Sequence, residues 1–200
     1  MVVSALPEQT RSEGVFFAVV GPSGAGKDTL LDGAREKLFG LDNWHFVKRY
    51  INRPHTAGGE DHIEVNTKTF QTLVQEDAFV LHWQAHELHY GITKDIIGRT
   101  RNGVNVIANL SRSAIADAAH KLARVHVIYV TASNEVLSKR LKNRGRETHD
   151  NIEKRLKRVA AQIPDGTEMT VILNNSTIDE GIEAFIGALK VQTAPAVEMV

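Results

Sequence analysis

The 200-residue sequence contains no cysteine. A chain without thiols has no disulfide scaffold, no cysteine ligands for zinc and no thiol nucleophile. Long hydrophobic runs are absent too: the longest, residues 15–20, is six residues, whereas a membrane helix needs about 20. The first thirteen residues lack the apolar core of a signal peptide. These absences predict a cytoplasmic protein with no membrane partner.

A net charge of either sign is also missing, because 24 basic residues balance 24 acidic ones. This balance excludes the overall basic character of proteins that bind nucleic acid or anionic membranes. The positive charge is nevertheless concentrated: residues 139–158 contain nine Lys or Arg residues and three acids, a local net charge of +6. Such a run is usually a solvated helix face, and its alternative is a site for an anionic ligand.

Short apolar segments alternate with amphipathic segments along the chain. Strand patterns are predicted at residues 15–20, 45–51, 78–83, 88–90, 104–108, 125–130 and 169–173. Helical patterns are predicted at 27–38, 67–76, 93–103, 113–122, 133–143, 150–162 and 179–190, with Asn66 or Thr67, Thr93 and Ser133 as caps. This alternation predicts an α/β fold with a mostly parallel sheet and helices on both of its faces.

The same pattern predicts one domain at residues 14–190, between a loose N-terminal extension (1–13) and a C-terminal tail (191–200). Residues 51–92 interrupt the alternation with short strands and loops. We therefore expect a core formed by 14–50 and 93–190, and an insertion at 51–92 that covers the substrate side.

A glycine-rich turn follows the first apolar strand and opens the first predicted helix. Its residues are Gly21, Pro22, Ser23, Gly24, Ala25, Gly26 and Lys27. In this context the glycines allow successive backbone N–H groups and the helix N-terminus to face a polyphosphate, and the lysine reaches the β and γ oxygens. The motif predicts a P-loop that binds ATP.

One position departs from the usual P-loop, which has Ser or Thr after the lysine as a ligand for Mg²⁺. Here Asp28 follows Lys27, and Thr29 comes next. A carboxylate is a good ligand for a hard cation, so Asp28 or Thr29 is a candidate for binding Mg²⁺. Alternatively, Asp28 only stabilises the first turn of the helix through its negative charge.

Together with the P-loop, the basic stretch that begins at Arg140 resembles the lid of the guanylate kinase family. Tyr90-Gly91 and Arg53 match the acceptor domain of that family. The resemblance covers about residues 15–190 and implies a P-loop fold like that of nucleoside monophosphate kinases, with ATP and Mg²⁺ as cofactors. It also implies that Asn174-Asn175 borders the adenine, with Asn175 as the ATP-binding residue. Four lid arginines are implied to close over the γ-phosphate: Arg140, Arg144, Arg146 and Arg155.

The resemblance fails where a guanine base would be recognised. Leu81 and Ile92 stand in place of the family's guanine-binding Glu and Ser, and Thr56 replaces a second phosphate-binding arginine. Asn109 ends a core strand where that family has aspartates. A site built to hydrogen-bond a base loses its selectivity when its polar groups become apolar.

At these positions the sequence is similar to another branch of the family, the ribose 1,5-bisphosphate phosphokinases. The similarity lies in GPSGAGKD and in residues 49–54, 57–62, 83–91, 109–112 and 143–147. It implies an ATP-dependent kinase of phosphonate degradation that converts a phosphorylated sugar, ribose 1,5-bisphosphate, into 5-phosphoribosyl 1-diphosphate. The candidate acceptor-binding residues are Arg49, Arg53, His86, Tyr90 and Arg112.

Two other hypotheses remain open at this point. One is a kinase for GMP or another nucleoside monophosphate, and the other is a guanylate-kinase-like binding module without catalysis. A pure binding module has no use for Lys27 and the lid arginines, which favours an enzyme.

Overall fold

The computed structural model of the protein describes residues 12–57, 60–142 and 152–193. Its strands, in chain order, are β1 (Phe16–Val20), β2 (Trp44–Phe46), β3 (Tyr50–Ile51), β4 (Ile63–Glu64), β5 (Phe79–Ala85), β6 (Leu88–Thr93), β7 (Asn105–Asn109), β8 (Val125–Thr131) and β9 (Glu168–Leu173). The helices are α1 (Lys27–Lys37), α2 (Thr67–Gln75), α3 (Asp95–Arg101), α4 (Ile115–Lys121), α5 (Asn134–Lys142), α6 (Ile152–Ala160) and α7 (Ile178–Val191).

The main sheet has five strands in the order β2-β7-β1-β8-β9, and all its pairings are parallel. Side chains of β1 alternate between two cores: Phe17 and Val19 pack with α1 and α7, whereas Phe16, Ala18 and Val20 pack with α3 and α4. Strands buried on both faces read as continuous apolar runs. The predicted parallel sheet with helices on both faces is therefore confirmed.

A second sheet of four strands, in the order β4-β3-β6-β5, is formed by residues 50–93. The strand predicted at 45–51 is wrong as a single element, because the chain leaves the main sheet in its middle. The N–H of Val47 still bonds to the carbonyl of Ile107 at 2.9 Å, whereas the carbonyl of Arg49 accepts from Ile63 at 2.8 Å in the second sheet. The short linker from 47 to 49 thus joins the two sheets.

Two of the three predicted caps are confirmed. The Asn66 side chain accepts from the N–H of Thr69 at 2.8 Å, and the Ser133 hydroxyl accepts from the N–H of Val136 at 3.3 Å. Thr93 is not a cap, because β6 continues through it and α3 starts only at Asp95. The helix predicted at 113–122 also begins differently, with a 3₁₀ turn at Arg112–Ala114 before α4. No helix in the described ranges is long and apolar enough to span a membrane.

Candidate active site

The P-loop connects β1 to α1, and its backbone requires glycine at two points. A Cβ on Gly21 would lie 2.0 Å from the carbonyl oxygen of Val130, and Gly26 has a positive φ of 88°. Lys27 folds back over the loop, where its Nζ donates to the carbonyls of Gly21 at 2.8 Å and Pro22 at 3.1 Å. The loop thus has the tight turn that the sequence predicts.

Four charged side chains influence the pKa of Lys27. Burial lowers the pKa of its ammonium group; the guanidinium groups of Arg49 and Arg112 also lower it, whereas Asp28 and Glu60 raise it. These five charges come from four separate segments of the chain. The fold therefore brings the predicted P-loop and acceptor-side residues into one electrostatic environment.

A cleft of about 510 Å³ opens beside the P-loop. This volume is in the range of small-molecule sites, which is about 300–1,000 Å³. Six of the predicted ATP-binding residues line the cleft, together with Arg140 and Asn174: they are Ser23, Gly24, Gly26, Lys27, Asp28 and Thr29.

The loop is anchored by Asn174, which the family resemblance places beside the adenine together with Asn175. Asn174 is buried after β9, its Nδ2 donates to the carbonyl of Ala25 at 2.8 Å, and its N–H donates to the carbonyl of Thr131 at 2.7 Å. The predicted ATP ligand was its neighbour Asn175, which is exposed and accepts from the N–H of Ser133 at 2.8 Å. The Asn-Asn pair at the strand end was the available signal, but only the structure distinguishes the two.

Of the four predicted lid arginines, the structure describes the side chain of Arg140. This residue is on α5, and its Nη1 lies 3.5 Å from the carbonyl oxygen of Gly24, at the long limit of a hydrogen bond. Arg144 and Arg146 lie outside the described residues, and so does the side chain of Arg155 in α6.

On the acceptor side, Arg49 is buried between aromatic rings and a carboxylate. Its guanidinium carbon lies 4.8 Å from the centroid of the Tyr90 ring, which stacks on Trp83 at 5.4 Å, and its Nη2 pairs with Glu60. Cation–π contact and a charged hydrogen bond together fix a guanidinium group. The structure thus brings together Arg49 and Tyr90 and adds Glu60, which belongs to segment 57–62 of the family resemblance, as a further residue at this site.

Arg53 follows β3 and carries unused hydrogen-bonding capacity. Its Nε and Nη2, like the Nε of Arg49, are buried without a hydrogen-bond partner among the described residues. Its backbone oxygen lies 2.9 Å from Nε2 of the buried His62, whose Nδ1 lies 2.9 Å from the backbone oxygen of Glu60. Buried donors without partners are uncommon in native proteins and call for a ligand or water.

The other two predicted acceptor-side residues lie further out. Arg112 is exposed in the 3₁₀ turn after β7, and its charge still acts on Lys27. His86 is exposed at the tip of the β5–β6 hairpin with a φ of 50°, whereas Tyr90 lies within β6. The hairpin therefore separates His86 from the Arg49–Tyr90 pair.

Donor side and acceptor side are joined by Asn109, at the end of β7. Its Nδ2 donates to Oδ1 of Asp28 at 3.1 Å and to Oε2 of Glu60 at 3.3 Å. A short polar link thus connects the first turn after the P-loop to Glu60 and its partner Arg49.

The guanylate kinase family model matches residues 15–192. A ribose 1,5-bisphosphate phosphokinase PhnN from Rhizobium etli is 40% identical over 183 residues, which cover 92% of this chain and 93% of that one. The chain belongs to the ribose 1,5-bisphosphate phosphokinase branch of the guanylate kinase family. The crystal structure of guanylate kinase from Anaplasma phagocytophilum shows the same fold, with a TM-score of 0.65 and 18% identity over 93% of this chain and 89% of that chain.

Another relative in this branch is longer. A bifunctional ribose 1,5-bisphosphokinase-thymidine phosphorylase from Cupriavidus pinatubonensis is 43% identical over 180 residues, or 90% of this chain. The chain spans only 30% of that protein's length. The similarity therefore covers most of this chain but only a minor part of the bifunctional protein.

Membership of a kinase family implies a nucleotide as phosphoryl donor and a small phosphorylated molecule as acceptor. The two positions that would recognise guanine in the guanylate kinases have a different environment here. Leu81 on β5 and Ile92 on β6 are direct partners across the second sheet, and they are 1% and 0% exposed. Both belong to the apolar core, so neither presents a hydrogen-bonding group to a base.

Proposed function

We propose that the protein transfers the γ-phosphoryl group of ATP to the 1-phosphate of ribose 1,5-bisphosphate and so forms 5-phosphoribosyl 1-diphosphate, in phosphonate catabolism. One observation on the acceptor side carries this proposal: buried N–H groups of Arg49 and Arg53 have no hydrogen-bond partner among the described residues. Leu81 and Ile92 meanwhile offer nothing polar to a base. An acceptor with two phosphates and no base suits such a site.

The chemistry of this acceptor fits the residues at the end of β7. A phosphate oxygen is already anionic near pH 7, because the second pKa of a phosphate is about 6. The attack therefore needs no general base, unlike attack by a hydroxyl group. Asn109 cannot accept a proton, and its amide donates to Asp28 and Glu60.

Because both substrates are polyanions, we assign cationic groups on both sides of the reacting atoms. Lys27 and Arg140 serve the donor phosphates, Arg53 and Arg112 serve the acceptor phosphates, and Arg49 supports the acceptor side from its buried position. Arg144, Arg146 and Arg155, which the family resemblance assigns to the lid, complete the charge neutralisation around the γ-phosphate in this proposal.

The residues at the start of α1 fit Mg²⁺. Asp28 and Thr29 both line the cleft, and within the described ranges no three His, Asp or Glu side chains converge to hold a metal alone. Asp28 and Thr29 would therefore hold the ion together with nucleotide phosphates and water, as is usual for Mg²⁺ at such sites. When bound, the ion supplies neutralisation of phosphate charge.

The direct test is a parallel assay of ATP consumption with ribose 1,5-bisphosphate and with GMP. Two or three buried hydrogen bonds of guanine would go unmade at Leu81 and Ile92, each at a cost of about 1–3 kcal/mol. We therefore expect kcat/KM for ribose 1,5-bisphosphate to exceed that for GMP at least about a hundredfold. Comparable values would refute the proposal and favour a nucleoside monophosphate kinase; no turnover with either would favour a binding module.

A further inference from the structure

The polar link between the two halves of the site depends on the amide of Asn109. The guanylate kinases that this sequence resembles have an aspartate at this position. Nδ2 of Asn109 lies 3.1 Å from a carboxylate oxygen of Asp28 and 3.3 Å from one of Glu60. An amide nitrogen has two hydrogens to donate, one for each carboxylate. An aspartate at this position would instead place a third negative charge between two others.

Glu60 extends this link to the buried Arg49 and lies near the main chain of Arg53 through His62. Its Oε1 pairs with the guanidinium group of Arg49, while Oε2 accepts from Asn109. Its backbone oxygen contacts one ring nitrogen of His62, and the other ring nitrogen contacts the backbone oxygen of Arg53, both at 2.9 Å. The side chain of Glu60 thus holds Arg49, and the His62 ring lies between the main chains of Glu60 and Arg53.

The connected groups come from distant parts of the sequence. Asn109 is 81 residues from Asp28 and 49 from Glu60. Asp28 is in the first turn of α1, next to Lys27, whereas Arg49 and Glu60 flank β3 at the start of the second sheet. The link is therefore a contact between the phosphate-binding loop and the acceptor-side sheet.

We propose that Asn109 and Glu60 are positioning residues for the phosphoryl transfer. They fix Arg49, on the acceptor side, at a set distance from the P-loop, through the link Asp28–Asn109–Glu60–Arg49. This inference rests on the proposed function, because it concerns the alignment of two phosphorylated substrates. A misplacement of about 1 Å between reacting groups can cost about 10²-fold in rate, so a link of this kind controls kcat.

The residue types follow from this role. Glu60 requires a cation on one side and a neutral donor on the other, and Arg49 and Asn109 supply them. Asp28 requires a neutral donor if its second oxygen is to stay free for the cleft, and the amide of Asn109 supplies that as well. Since the acceptor phosphate needs no base, the end of β7 is free to carry an amide.

The test uses the full chain with three variants and a matched control. Asn109→Asp removes the donor and adds a charge, and we expect kcat with ribose 1,5-bisphosphate to fall at least about tenfold, with a smaller change in the KM for ATP. Glu60→Gln removes the ionic partner of Arg49, and we expect a similar fall in kcat and a raised KM for the acceptor. The control is Asp61→Asn in the same loop, where an exposed carboxylate pairs with Lys48; it should leave both constants unchanged.

The double variant Glu60→Gln/Asn109→Asp separates positioning from simple damage. In this variant the new amide at position 60 can donate to the new carboxylate at position 109, which restores one hydrogen bond of the link with the donor and acceptor exchanged. We expect the double variant to be at least several-fold more active than the product of the two single effects predicts. Single effects that multiply, or wild-type kinetics in Glu60→Gln, would overturn the inference.

Wild-type turnover is measured first, because it tests the proposed function separately from the positioning role of Asn109 and Glu60. A wild-type protein that is inactive on ribose 1,5-bisphosphate contradicts the proposed function, and the link is then tested without activity by amide hydrogen exchange. Ile63 and Val65 donate to the carbonyls of Arg49 and Ile51, so their exchange reports whether β4 stays on β3. Faster exchange in Asn109→Asp than in Asp61→Asn, at equal global stability, supports the link, and equal exchange overturns it.

Discussion

The anchor of the P-loop offers a quantitative prediction, because one buried side chain carries it. Asn174 is 6% exposed, and its Nδ2 donates to the carbonyl of Ala25 at 2.8 Å. Asn174→Ala leaves that buried carbonyl without its partner, at a cost of about 1–3 kcal/mol in the free energy of unfolding. Asn174→Asp places a carboxylate oxygen against a carbonyl oxygen and buries an unpaired charge, which we expect to cost about 3–5 kcal/mol.

The neighbouring residue is the matched control for this prediction. The exposed side chain of Asn175 accepts one hydrogen bond among the described residues, from the N–H of Ser133, so Asn175→Ala should cost only about 0.5–1.5 kcal/mol. Urea unfolding followed by tryptophan fluorescence measures all three variants. Because Ala25 belongs to the P-loop, the KM for ATP should also rise in Asn174→Ala. Equal losses of stability in Asn174→Ala and Asn175→Ala would refute the anchoring role.

Three further predictions concern the phosphate site and the sheet. Lys27→Ala should lower kcat about 10²–10³-fold with the fold intact, and near-normal turnover at saturating ATP would contradict the assignment of this lysine. Asp28→Asn should raise the Mg²⁺ concentration that gives the half-maximal rate, whereas an unchanged Mg²⁺ dependence would leave Asp28 only its contribution to the helix and to Asn109. Burial lowers the pKa of His126 from its ordinary value of 6.5. Its contribution to stability is therefore present above about pH 6.5 and declines as the pH falls below it; His126→Gln should flatten this dependence in urea unfolding between about pH 7.5 and 5.

The P-loop and the main strands could be predicted from the sequence because their signals are local. The glycines, the lysine and the preceding apolar strand lie within thirteen consecutive residues, and a fully buried parallel strand has a composition that shows its environment. The same logic predicted the caps at Asn66 and Ser133, whose partners are three residues away. Thr93 has the right chemistry for a cap, but pairing with Phe79 in the second sheet retains it in a strand.

Other features depend on partners that are remote in sequence. Residues 45–51 have one uniform strand composition, and only the position of Ile107 and Ile63 divides them between two sheets. Asn174 and Asn175 are chemically identical, and what distinguishes them is Ala25, 149 residues away from Asn174. Glu60 was visible as part of a family segment, but its role depends on Arg49 and Asn109, which the fold brings to it.

Under the proposed function, the residues that set selectivity and the residue that joins the two halves of the site have separate explanations. An acceptor that attacks through an anionic phosphate oxygen needs no general base at the end of β7, so this position can hold an amide. An amide there can join two carboxylates, Asp28 and Glu60, which an aspartate would repel. Under the proposed function the acceptor has no nucleobase to be recognised, so Leu81 and Ile92 can join the apolar core. Under the proposed function, the apolar pair at 81 and 92 follows from an acceptor without a nucleobase. The amide at 109 does not follow from the change of acceptor, because GMP also attacks through a phosphate oxygen; it is explained by the two carboxylates that it joins. A variant with guanine-reading groups at 81 and 92 should still transfer phosphate to GMP poorly, measured as kcat/KM, because Glu60 continues to hold Arg49 for an acceptor without a nucleobase.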